Sequence, residues 1–108
     1  MKLTGVLQSG VESSVPEVGA AVVNYNGGQR VLRVLQALVE SGSALSDIVV
    51  VDNSSDDGSV GQIRELFPTV RVVALETNVG LSVARNIGLS MLSTPLALLL
   101  DHDIYVGA

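Results

Sequence analysis

Cysteine is missing from the chain altogether, which removes disulfides, thiol catalysis and thiolate metal sites from consideration. That absence fits a reducing compartment, and a cytoplasmic location is expected. Basic residues are scarce: six Lys and Arg stand against eleven Asp and Glu, for a formal net charge of -5. The six are scattered, so no surface is expected to hold a nucleic-acid backbone. There is a single histidine, His102, and no serine in a nucleophile-elbow context, which argues against a Ser-His-Asp hydrolase. Neither a G-x-G-x-x-G run nor a P-loop lysine pattern occurs, so dinucleotide and ATP binding by those devices is unsupported. A receiver or flavodoxin-like domain needs acids after the first strand and a late lysine, where this chain has Asn24-Tyr25-Asn26 and none.

Long apolar runs are absent as well. Residues 1–17 carry one Lys, several Ser and Gly and no useful hydrophobic stretch, and read as a loose leader, neither signal peptide nor membrane anchor. No transmembrane segment is expected. Hydrophobic residues nevertheless make up 47% and charged residues 16% of the 108, which is apolar for a free-standing domain and implies surface in need of a partner. At this length the chain is one domain, residues 18–108, too short for separate donor and acceptor regions of an enzyme.

Four short apolar runs punctuate it: VGAAVV from Val18, IVVV from Ile48, VRVVAL from Val70 and LALLL from Leu96. Each is continuous, not alternating, as in strands covered on both faces. The stretches between them have helical spacing. The expected buried faces are Val31, Leu35, Leu38 and Val39; then Val60, Ile63, Leu66 and Phe67; then Val83, Ala84, Ile87 and Met91. Asp56-Asp57-Gly58-Ser59 is expected to supply a cap and first-turn acids to the second helix, and Pro68 to end it after Phe67. Strictly alternating strands and helices predict an α/β fold, a three-layer doubly wound and mostly parallel sheet.

In such a sheet the carboxyl ends of all strands lie on one edge, which is where ligands bind. Here those ends read Asn24-Tyr25-Asn26, Asp52-Asn53-Ser54-Ser55, Glu76-Thr77-Asn78 and Asp101-His102-Asp103. Asp101 and Asp103, spaced by two in extended chain, point the same way and suit a hard divalent ion that also holds phosphate oxygens. Asp103 is the candidate metal ligand, Asp101 a ligand for metal or ribose, and His102 a weaker third candidate. Arg85 sits early in the third helix, where the macrodipole prefers anions. A diphosphate would satisfy it, and so would pairing with Glu76 or Asp57. Asn78-Val79-Gly80 has the form of a tight turn, with Gly80 either approaching a ligand or serving as an ordinary turn glycine. Asp52 either accepts from a base or ribose, or caps its own turn through Ser54 or Ser55.

The segments AAVVNYNGG, IVVVDNSSDDGS, LFPTVRVVAL, NVGLSVARNIGL and LALLLDHD, in that order, resemble the large family of inverting nucleotide-sugar glycosyltransferases. The resemblance covers residues 18 to about 106 and implies a GT-A fold with strand order 3-2-1-4. It places Asn24, Tyr25 and Asn26 at the nucleotide pocket, Asp52 on the base, and Asn78, Gly80 and Arg85 along the nucleotide and diphosphate. Asp101 and Asp103 look like the family's D-x-D pair, holding Mg2+ or Mn2+ against a UDP-, GDP- or dTDP-linked sugar. Family members continue past this pair into an acceptor region that supplies the catalytic base, and no residue here takes that role. Donor binding without efficient transfer is the expectation, with a non-catalytic nucleotide-binding or assembly module as the alternative. The same strand order leaves apolar sheet bare beside the fourth strand, which predicts a homo-oligomer.

Overall fold

The computed structural model describes residues 17–41 and 45–102. The leader, but for Glu17, and Asp103 lie outside them. The elements run β1 (Val18–Asn24), α1 (Gly28–Glu40), β2 (Asp47–Asp52), α2 (Ser59–Leu66), β3 (Arg71–Ala74), α3 (Leu81–Met91) and β4 (Leu96–Asp101). The strands form a parallel sheet of order β3-β2-β1-β4, as the resemblance implied. No helix among the described residues is long and apolar enough to cross a membrane.

Side-chain alternation gives the sheet two unequal faces. Ala20, Val22 and Val50 point to one, where Val31, Leu35 and Leu38 of α1, with Ile63 and Phe67 beside α2's end, form the main core. Val23 and Val51 point to the other, packing on Ala84 and Ile87 of α3. The helices α1 and α2 thus cover one face and α3 covers β1 and β2 on the other.

Three of the helical faces turn differently from expectation. In α1 the buried set is Val31, Leu32, Val34, Leu35 and Leu38, while Val39 is exposed, because it lies round the edge of the stripe. In α2, Leu66 is exposed in the last turn, while Ile63 and Phe67 are buried as expected. In α3 the buried residues are Ala84 and Gly88, with Val83 and Met91 exposed. The reason is close approach: a Cβ on Gly88 would lie 2.9 Å from the Ala21 Cβ, so the helix sits on its two smallest residues. The second helix also has no first-turn acid; its cap position is Gly58, in left-handed backbone at φ 83. Asp57, one residue earlier, takes the Ser59 amide at 3.0 Å and its hydroxyl at 2.6 Å.

β4 is the outer strand on one edge and Leu96, Leu98 and Leu99 are exposed on it. The expectation of four strands covered on both faces therefore fails for the two edges: β4, because α1 and α3 both sit over β1 and its other neighbour, and β3, where Arg71 and Ala74 are exposed.

Candidate functional site

The same alternation sorts the polar strand ends. Asn24 pairs in register with Asp52, and both follow the Val22/Val50 parity toward α1 and α2. Val23 pairs with Asp101, so Asp101 turns toward α3.

On the α1–α2 side the polar groups are consumed internally. Asn24 and Asp52 are 0% and 2% exposed. The Asn24 amide donates to Asp52 Oδ1 at 2.7 Å and to Ser59 Oγ at 2.9 Å, while its Oδ1 accepts from the Gly27 amide at 3.1 Å. Asp52 further accepts from the Ser55 amide at 2.8 Å and the Ser55 hydroxyl at 2.7 Å. Asn26, in left-handed backbone at φ 51, donates its amide to Ser55 Oγ and accepts from the Asp56 amide. The circuit closes where the Gly28 amide reaches Asp57 Oδ2 at 3.0 Å. Burial raises the Asp57 carboxyl, but hydrogen bonds from Ser59 and Gly28 outweigh it and hold the group below the usual value. This network fastens the β1–α1 loop to the β2–α2 loop with buried polar groups satisfied.

On the α3 side lies an open hollow of about 240 Å3, lined by Val23, Tyr25, Asn53, Asn78, Leu81, Asp101 and His102. It opens between the ends of β1 and β4, whose connecting helices leave on opposite faces, the switch point where open α/β sheets take ligands. Apolar and aromatic surface from Val23, Leu81 and Tyr25 meets the amides of Asn53 and Asn78 and the Asp101 carboxylate. The Tyr25 amide donates to His102 Nδ1 at 3.4 Å, tying the two strand ends together. Asn53 uses both ends of its amide on the far wall, accepting from the Val79 amide at 2.8 Å and donating to the Gly80 carbonyl at 3.3 Å. Gly80 has φ 87, open only to glycine without strain, and its amide donates to Asn78 Oδ1 at 2.8 Å.

Among the residues singled out from sequence, Tyr25, Asn78 and Asp101 line the hollow and Gly80 closes its wall. Arg85 pairs with neither Glu76 nor Asp57 but with Asp101, at 3.2 Å. Asn24, Asn26 and Asp52 belong to the network instead, and Asp52 takes its turn-capping alternative through Ser55. Asn53 and Leu81 went unnoticed in the sequence. Strand parity is the signal that finds Asn53: if residue 52 faces one side, residue 53 faces the other.

Asp101 offers carboxylate oxygens at the wall of this hollow, donors that suit Mg2+ or Mn2+ held by one or two carboxylates plus ligand phosphates. Among the described residues no three His, Asp or Glu gather as an all-protein metal cage, and that mode of binding requires none.

A parallel sheet with a polar-rimmed apolar hollow at its switch point defines an open α/β protein with its candidate ligand site at the strand ends. The glycosyl transferase family 2 model matches residues 20–107, and the chain belongs to that family. It is 30% identical over 90 residues to the succinoglycan biosynthesis protein ExoO of Rhizobium meliloti, covering 82% of this chain and 26% of that protein. Among solved structures it resembles the mannosyltransferase PcManGT of Pyrobaculum calidifontis in complex with GDP-Man and Mn2+. There the TM-score is 0.72 at 25% identity, over 86% of this chain and 29% of that one. S. aureus TarS 1-349, solved in complex with UDP-GlcNAc, superposes with a TM-score of 0.70 at 24% identity, over 81% and 26% of the two chains. The fold is the GT-A fold of these neighbours, and the chain spans about a quarter of the length of the relatives it matches.

Proposed function

We propose that residues 18–108 are the donor-binding part of an inverting nucleotide-sugar glycosyltransferase. The observation that carries this reading is the hollow between the ends of β1 and β4, with Tyr25, Asn78 and Asp101 on its walls. Tyr25, Leu81 and Val23 offer apolar surface for a base, and Asn78 offers its amide nitrogen beside it, on a turn that Asn53 holds in place. Arg85 and the Asn78–Gly80 turn lie along the nucleotide and its diphosphate. Asp101 and Asp103 would hold Mg2+ or Mn2+, and such an ion, when bound, offsets charge gathering on the departing diphosphate. Asn24, Asn26 and Asp52 serve by fixing the loops that carry Tyr25 and Asn53. The acceptor hydroxyl must lose a proton during inverting transfer, and none of the residues around the hollow is assigned as that base.

Calorimetric titration with UDP, GDP and dTDP, with and without Mn2+, tests the reading. A metal-dependent response abolished by Asp103→Ala is expected; silence with all three nucleotides sinks it. The second reading, a non-catalytic assembly module, is favoured by the exposed leucines of β4. In either case a second copy of this chain is the proposed occupant of that face, and a monomer by sedimentation at micromolar concentration contradicts that.

A further inference from the structure

Two ion pairs link arginine to aspartate among the described residues, and they are built differently. Arg71 meets Asp47 with a fork, Nε at 3.2 Å from one oxygen and Nη2 at 2.6 Å from the other, and Nη2 also donates to the Met91 carbonyl at 2.6 Å. That is a finished structural contact, joining the beginnings of β2 and β3 to the end of α3. Arg85 instead reaches Asp101 through Nη2 alone, at 3.3 and 3.2 Å from the two oxygens. Its Nε–H is buried and has no partner. A guanidinium that leaves a buried donor unspent while clasping both oxygens of a pocket carboxylate is in a holding position.

We propose that Arg85 is a positioning residue that occupies Asp101 in place of a divalent cation, so that metal binds weakly until an anionic ligand draws the guanidinium away. The inference rests on Asp101 being a metal ligand, as proposed above. Arginine keeps its charge at every working pH, so a cation approaching the free protein meets a carboxylate already neutralised. A diphosphate supplies acceptors for the unspent Nε–H and the other guanidinium donors, and frees the carboxylate as it binds. Coupling of this kind is reciprocal: whatever the nucleotide adds to metal affinity, the metal adds to nucleotide affinity.

The test is Mn2+ binding followed by electron paramagnetic resonance, with metal alone and then with UDP, GDP or dTDP. For Mn2+ alone, Arg85→Gln is expected to bind about two- to fivefold tighter than wild type, the range for losing a partly exposed competing ion pair. Arg85→Lys keeps the charge beside Asp101 and is expected to stay near wild type. Adding Asp101→Asn to Arg85→Gln removes the gain, and the nucleotide-induced rise in Mn2+ affinity is smaller in Arg85→Gln than in wild type. If Asp101→Asn weakens Mn2+ binding but Arg85→Gln leaves it unchanged, the positioning role is overturned while the metal site stands. If Mn2+ binds no variant with any nucleotide, both are overturned.

Discussion

Asp52 and Asn53 are adjacent in sequence and opposite in circumstance. The Asp52 side chain is closed into a circuit with Asn24 and Ser55 beneath the α1–α2 layer. That of Asn53 forms the wall of an open hollow and holds the Val79–Gly80 turn from inside it. The contrast extends across β1 and β2, one face closed under two helices and the other closed only where α3 reaches. A polar group on the closed side is architecture because its partners are other buried groups of this chain. On the open side Asn53, itself 4% exposed, borders the hollow, while Tyr25 and Asn78 beside it keep surface that solvent or a ligand can reach, and the chemistry belongs there.

Breaking the closed side should therefore have the largest effect. Asp52→Ala strips partners from the Asn24 amide and the Ser55 amide, and a loss of about 3 kcal/mol is expected in urea denaturation. Asn53→Ala exposes its orphaned turn groups to water and should cost about 1 kcal/mol, with its main effect on nucleotide binding. Equal losses at the two positions would erase the distinction.

Gly88→Val sharpens the comparison from the other face. A side chain there meets Ala21 and Val51, and the Ala21 Cβ is fixed to the backbone of β1, so α3 must lift off the strand. Overpacking of this kind costs about 2 kcal/mol, and the shift should also open the hollow whose wall begins α3. Unchanged thermal stability would mean that α3 rides loosely on the sheet.

Asp57 is a smaller case with a pH signature. Its hydrogen bonds to Ser59 and Gly28 hold its carboxyl below the usual 3.8, so its contribution is complete above that value and fades as pH falls through the lower, folded-state value. Asp57→Ala should cost about 1 kcal/mol near neutrality, the scale of a helix cap. The gap from wild type should stay flat down to about pH 5 and close in stronger acid. A gap that widens on acidification would contradict the sign.

Much of this architecture was legible from the residues. The runs VGAAVV and IVVV are continuous because both faces of β1 and β2 are covered, and Pro68 marks the end of α2. The lining of the hollow was half legible: Tyr25, Asn78 and Asp101 stand out by their place after apolar runs. Asn24 and Asp52 satisfy the same rule yet turn inward, because a strand end has two sides and composition does not say which. Asn53 was hidden by a neighbour with more conspicuous charge. The face of α3 was half legible: Ala84 and Ile87 meet the sheet as their spacing implies, but apolar periodicity also favours Val83 and Met91, whereas close packing on a flat sheet favours Gly88.

The smallest effect is expected at β4. Leu98 pairs in register with Ala20, on the parity that α1 and α2 cover further along the sheet, yet it remains 45% exposed. Were this face finished, removing the leucine would cost what a buried leucine costs, about 2–5 kcal/mol. Leu98→Thr keeps a side chain suited to a strand and should shift the monomer's stability by no more than about 0.5 kcal/mol. The same change places a hydroxyl in the patch offered to a second copy, so it should weaken self-association measured by sedimentation while leaving nucleotide titrations as they were. A large stability loss that depends on protein concentration would show that the second copy already belongs to the folded unit, and the open face would then be closed by its own kind.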